Sequence, residues 1–192
     1  MNDLDKYLPQ ASINLVNEWI NRYKCEVKIR KPRKSKLGDY HFCFKSKKHK
    51  ISINNNLNKY LFLITLTHEI AHMMVWEKKQ NNVLPHGKEW KTIFKKLMLN
   101  FLHIFPDEIN KNLAIHLKNP KSSTCYDIKL SNSLRQFNSE IRKTVVDIPE
   151  GSFFTIHNGQ KFIKIKKLRK RYYCKCINNN RFYTFSPLTE IL

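Results

Sequence analysis

The segment His68-Glu69-Ile70-Ala71-His72 holds the residues best placed to do chemistry. Two imidazoles four residues apart on an α-helix point from one face toward a single ion, and the carboxylate stands beside the first of them. Neutral imidazole nitrogen suits Zn2+, and a catalytic zinc takes three protein ligands while keeping a position open for water. In that scheme His68 and His72 are ligands and Glu69 is a general base that accepts a proton from water. A third ligand has to come from elsewhere in the chain.

The setting favours a metal over ordinary core histidines. The segment sits inside a run that is largely apolar from Tyr60 to Trp76, so three polar groups are carried toward a core. Without partners they would be costly to bury, and a shared ion satisfies them. His86 is the nearest candidate for the third ligand. A helix ending near Lys78 leaves enough chain before Pro85 to turn back beside the histidine face, with Pro85 and Gly87 shaping the loop. His103 and His116 are the alternatives, each otherwise read as a helix-surface residue. One Zn2+ per chain is the expected cofactor. Trp76 and Trp90 read as core or wall residues, and no Tyr, His or Arg stands out by position as a partner for a developing oxyanion.

The elements that hold these groups follow from periodicity. A helix is expected from Leu8 to Tyr23, where apolar residues recur at three- and four-residue steps with Ser12 as a cap. Cys25, Val27 and Ile29 alternate as a strand, a basic loop leads through Gly38 to a second strand from Tyr40 to Phe44, and Ile51 and Ile53 mark a third. The first third therefore reads as a helix followed by a small antiparallel sheet. Asn54 to Asn58 precede a long buried helix, Trp90 to Phe101 form an amphipathic one, and Pro106 opens another through Leu117. Residues 126–138 read as helix or irregular structure. From Pro149 the texture changes to short alternating segments with turns at Asn158-Gly159 and Asn178 to Asn180. The expected organisation is one main domain over residues 1–146 and a small basic β module over 147–192.

With 41% hydrophobic and 12% aromatic residues the chain has enough apolar material to fold. Five cysteines, odd in number and irregularly spaced, argue against a secreted disulfide framework and for a reducing compartment. The N-terminal segment lacks an apolar signal region and no stretch is long enough to span a membrane, so a cytoplasmic protein without a membrane partner is expected.

The formal net charge is +21. A field of that sign attracts polyanions such as nucleic acid. Lys outnumbers Arg more than three to one, and Asn and Ile are abundant, a pattern that an AT-rich genome imposes without selection for binding. Within the run from Lys161 to Tyr173 cations interleave with aromatics, which makes Lys166, Lys167, Arg169, Lys170 and Arg171 candidate phosphate contacts for DNA. The competing account is a strand with one solvated lysine face. Two further functional classes follow: a nucleic-acid-binding protein with a structural or vestigial zinc site, and a zinc hydrolase that is not a peptidase.

The arrangement HEIAHMMVW, a spacer, then PHGKEWK resembles the SprT-like metallopeptidase family, in which an HExxH helix is followed by a third His in an HGxxW-type segment. Upstream, Lys36-Leu37-Gly38-Asp39-Tyr40 and Ile51-Ser52-Ile53-Asn54 are similar to that family's LGxY strand and the hairpin strand before its active-site helix. The resemblance covers roughly residues 10 to 110. It implies a zincin-like α+β fold, helices packed on a small antiparallel sheet. It also implies hydrolysis of peptide bonds, with His68, His72 and His86 as zinc ligands and Glu69 as the catalytic residue. DNA-associated proteins enter as substrates because a relative, Spartan, cleaves proteins crosslinked to DNA.

The chain departs from the family in one respect. Many members carry a C-terminal zinc ribbon with four ligands, whereas Cys174 and Cys176 have no second pair downstream. Two ligands cannot close a tetrahedral site. Both cysteines read instead as small apolar residues on one strand face. The β module stands in for the ribbon and looks like the C-terminal part of SprT-like proteins from Bacteroidetes.

Overall fold

Ile13, Val16, Trp19 and Ile20 are buried along one side of the first helix, α1 (Ile13–Arg22), as their spacing requires. The structure, a computed structural model, describes residues 3–33, 35–80 and 82–192. A short 3-10 turn, Gln10–Ser12, leads into α1, and the Ser12 hydroxyl donates to the Pro9 carbonyl instead of capping the helix.

Strands β1 (Glu26–Arg30), β2 (Gly38–Cys43) and β3 (Lys48–Asn54) form one sheet in the order β1-β3-β2. β2 and β3 are an antiparallel hairpin, but β1 runs parallel to β3, with Val27 opposite Ile51 and Ile29 opposite Ile53. The sheet is therefore mixed, not antiparallel as the sequence pattern suggested. Ile51, Ile53 and Asn54, all on β3, are the most deeply buried of its residues, as expected of the central strand. β1 and β2 are its two edge strands.

Helix α2 (Lys59–Lys79) starts at Asn58, whose side chain accepts the Leu61 N–H at 3.0 Å. Its buried residues go round the whole cylinder, as in a helix enclosed by its domain. α3 (Lys88–Leu99) packs on α2 through Trp90, Phe94 and Met98. α4 (Asp107–Lys118) follows Pro106, and the ambiguous stretch after Tyr126 forms a helix, α5 (Ile128–Arg135), capped by Asp127. His116 is not a surface residue: it is buried on the apolar side of α4, with Nδ1 3.1 Å from Asp127 Oδ2.

Two compact units result, Met1–Asn138 and Ser139–Leu192. In the second, β4 (Phe153–Thr155), β5 (Lys161–Lys167), β6 (Tyr172–Cys176) and β7 (Phe182–Phe185) form an antiparallel meander. Its core includes Val145, Phe154, Phe162, Cys174 and Cys176. The buried Lys164 donates from Nζ to the carbonyls of Val145 and Ile148 and lies 3.8 Å from the Tyr172 ring centre. These bonds hold the segment around Val145 to the sheet, which is why this unit begins before residue 147. Among the described residues no helix is long and apolar enough to cross a membrane.

Candidate metal centre

His68 and His72 stand one turn apart on α2, and the α2–α3 connection brings His86 across to them. The Nε2 atoms of His68 and His86 are 3.0 Å apart, those of His72 and His86 3.0 Å, and those of His68 and His72 3.2 Å. His86 has a left-handed backbone, φ +58, a region that His enters more readily than most side chains. The Gly87 N–H closes the turn by donating to the Leu84 carbonyl at 3.0 Å. Pro85 and Gly87 thus frame the turn that delivers the third imidazole.

Three nitrogens this close cannot all be hydrogen-bonded to one another. In a neutral ring Nε2 either donates or accepts, so at least two of the three are alike and repel. A cation that receives all three lone pairs removes the conflict. Tetrahedral ligands ~2.0–2.1 Å from a zinc ion lie ~3.3 Å from each other, close to the observed separations, so the residues fit the metal. Among the described residues these three are the one group of three or more His, Cys, Asp and Glu side chains close enough to share an ion.

Their electrostatics agree with their geometry. Burial, reinforced by His72 and His86, depresses His68 to about 2, and burial with His86 depresses His72 to about 4. Burial lowers His86 as well. All three rings are neutral near pH 7 and able to ligate. Trp90, fully buried at the start of α3, is their common wall: its ring centre lies 4.5 Å from that of His68, 5.4 Å from His72 and 4.8 Å from His86. Its Nε1–H donates to the His68 carbonyl at 3.3 Å.

Glu69 is only 7% exposed and lies against Gly38 of β2. Burial, with a smaller push from Asp39, raises its carboxyl to about 8, while Arg33 and Lys36 act in the opposite direction. A dication held by the histidines would favour the carboxylate and pull that value down.

Glu69 and the three histidines line a cleft of about 460 Å3, bounded by Gly38 to Tyr40 on β2 and by Ser122 to Thr124. A second cavity of about 410 Å3 adjoins it, sharing Tyr40, His72, Pro85 and His86, and its own walls combine the apolar side chains of Phe42, Phe44, Val75, Trp76 and Leu84 with the polar His41 and Gln80. Phe42 and Trp76 stack there with ring centres 3.8 Å apart. Tyr40, between the cavities, is held by a relay: its hydroxyl meets His49 Nδ1 at 3.0 Å, and His49 Nε2 meets Glu77 at 2.9 Å. The tautomer that donates to Glu77 leaves Nδ1 to accept the Tyr40 O–H.

Sequence reasoning missed the space at Gly38, the Tyr40 relay and the Ser122–Thr124 wall. Tyr40 had a signal in the strand pattern before α2; His49, Glu77 and Ser122 to Thr124 had none. His103 is exposed and His116 is paired with Asp127, and neither joins the cluster. Lys166 and Lys167 end β5, and Arg169, Lys170 and Arg171 form the exposed β5–β6 turn, all in the other unit.

The SprT-like family pattern matches residues 9–110, just over half of the chain. The chain belongs to the SprT-like family. The SprT-like match contains β2, the whole of α2 and α3, and therefore Gly38, the three histidines, Glu69 and Trp90. It ends within α4 and leaves the second unit outside. No curated protein and no solved structure matches the chain.

Proposed function

We propose that the protein is a zinc-dependent metallopeptidase. The observation that carries this reading is the convergence of three neutral imidazoles, Nε2 to Nε2 at 3.0 to 3.2 Å, on a cleft that also holds the Glu69 carboxyl. A structural zinc is closed by a fourth protein ligand, whereas three histidines beside an open cleft leave room for substrate. Membership of the SprT-like family supports the same reading.

His68, His72 and His86 hold the ion. When bound, it supplies Lewis acidity, lowering the pKa of water toward ~7 and polarising a carbonyl. Glu69, facing the cleft from α2, takes the proton of the attacking water and returns it to the leaving amine. The edge strand β2 offers unpaired backbone N–H and C=O groups to an extended peptide, which aligns a peptide bond along the cleft. Trp90 keeps water from beneath the imidazoles.

Zinc content and casein hydrolysis of the wild type, Glu69→Gln and each His→Ala variant test the assignment. Glu69→Gln is expected to keep one zinc per chain and to lose hydrolysis by roughly 10²-fold or more. His68→Ala, His72→Ala and His86→Ala are each expected to lose zinc. Undiminished hydrolysis by Glu69→Gln would overturn the mechanism, and unchanged zinc affinity in His86→Ala would remove it from the ligand set.

A further inference from the structure

The sheet of the second unit buries one face and leaves the other open. Strand register decides which residues share the open face: Phe153, Ile163, Lys175 and Phe182 lie side by side across all four strands. Lys166, Tyr173 and Thr184 form the neighbouring row, and Lys161 stands opposite Thr155. Phe154, Phe162, Cys174 and Cys176 alternate with them and point into the core.

An open sheet face that only meets water carries polar side chains. Here Phe153 is 71% exposed and Phe182 53%. Tyr173 and Phe182 stack almost parallel, ring centres 5.1 Å apart and planes 3° from one another. Lys161, Lys166 and Lys175 are set among these rings, and the named rows contain no Asp or Glu. The unit as a whole has eleven Lys and Arg against four Asp and Glu. Arg169, Lys170 and Arg171 extend the charge around the β5–β6 turn.

We propose that this open face binds single-stranded nucleic acid, with bases stacked on Phe153, Tyr173 and Phe182 and phosphates beside Lys161, Lys166 and Lys175. Aromatic rings interleaved with cations suit unpaired bases, because a duplex conceals the base faces that stack. Lysines supply point charges without the fork that reads base edges, so the binding is tolerant of sequence. Charge complementarity selects a polyanion over another apolar protein surface. Of the five cations foreseen from the sequence, Lys166 lies in the rows just described, and Arg169, Lys170 and Arg171 belong to the turn that borders this platform. The proposal stands independently of the peptidase reading.

The test is fluorescence anisotropy of the full-length protein with labelled 15-mers of dT and rU and a 15-base-pair duplex. Both single strands, or either one, should bind at least tenfold tighter than the duplex, and the two arms separate DNA from RNA as the source. Phe182→Ala, at an exposed position, should weaken single-strand binding roughly tenfold or more while melting stays within a few degrees of wild type. Lys161→Ser with Lys175→Ser should flatten the slope of log affinity against log salt by about 1.4. Equal binding of duplex and single strand, or unchanged affinity in Phe182→Ala, would overturn the proposal. So would sedimentation showing a dimer that Phe182→Ala abolishes in a protein that binds no oligonucleotide, or binding to anionic vesicles alone.

Discussion

Gly38 leaves Glu69 its place: a Cβ added to Gly38 would lie 2.6 Å from Glu69 Oε1 and 2.8 Å from Thr65 Cγ2. The need is for space, not for an unusual backbone angle. Thr65 cannot step aside easily, because its hydroxyl donates to the Leu61 carbonyl at 2.8 Å. In Gly38→Ala the carboxyl must therefore move or β2 must shift. Displacement of a reacting group by ~1 Å costs about 10²-fold in rate, and overpacking of this kind costs ~1–3 kcal/mol of stability. Gly38→Ala is expected to keep one zinc per chain and to lose peptidase activity by about that factor. Steady-state kinetics with metal analysis checks it, and wild-type activity would show that Glu69 does not act from this position.

Trp90 would hold the three imidazoles in place for a metal without itself being a ligand. Its ring is the shared wall of all three imidazoles, and partners that orient metal ligands typically contribute 10- to 100-fold in affinity. Trp90→Phe is expected to weaken zinc binding by about that range, measured by competition with a chromogenic chelator. Trp90→Ala should in addition lose ~3–5 kcal/mol of stability, because the indole is fully buried.

Acid should destabilise the metal-free protein. Unfolded imidazoles titrate near ~6.5, whereas folded His68 and His72 protonate only at about 2 and about 4. As pH falls below ~6.5 the unfolded chain takes up protons first, so stability that is complete above that value is lost on the way down to about 4. Each ring contributes up to ~1.4 kcal/mol per pH unit. Glu69 acts with the opposite sign, because its raised value lets the folded state bind a proton first. The measurement is therefore made on chelator-treated Glu69→Gln. Urea denaturation at pH 7 and pH 5 should show a loss of about 2 kcal/mol for each buried ring. Zinc-loaded protein should resist until protons displace the metal. A flat profile in the metal-free variant would mean that the rings are not held neutral.

What could be read from sequence was whatever local spacing determines. His68 and His72 are i and i+4 on one helix, and His86 follows within a short loop, so the cluster was legible before any tertiary contact was known. Alternation found all seven strands but could not tell the parallel pairing of β1 with β3 from an antiparallel one, since side chains alternate with the same period in both. His116 stands three residues after the buried Leu113 and seven after Ile109, on the apolar side of α4, and that spacing was the available signal for its burial. Gly38 against Glu69, Trp90 against three rings and Tyr40 against His49 are contacts between separate elements. No periodicity in one segment records them.

The aromatic side of the second cavity should set what the cleft accepts. It meets the histidine cleft at Tyr40, His72 and His86, and β2 lines both, so a peptide extended along that strand places one side chain among Phe42, Phe44, Trp76 and Leu84. Alternate side chains of an added strand fall into such pockets and set specificity. Burying a Leu or Phe side chain there contributes ~1.5–3 kcal/mol, or about 10- to 150-fold in kcat/KM over a small polar residue at that position. Mass spectrometry of a digested peptide library should therefore show cleavage beside large apolar residues. Phe44 is 72% exposed and Leu84 80%, so Phe44→Ala with Leu84→Ala should fold as the wild type does. That variant is expected to blunt the preference while hydrolysis of small-residue peptides persists. Cleavage without an apolar preference in the wild type would exclude this cavity from the substrate path and leave the zinc assignment intact, whereas a library left uncut by the zinc-loaded protein would count against the peptidase reading itself.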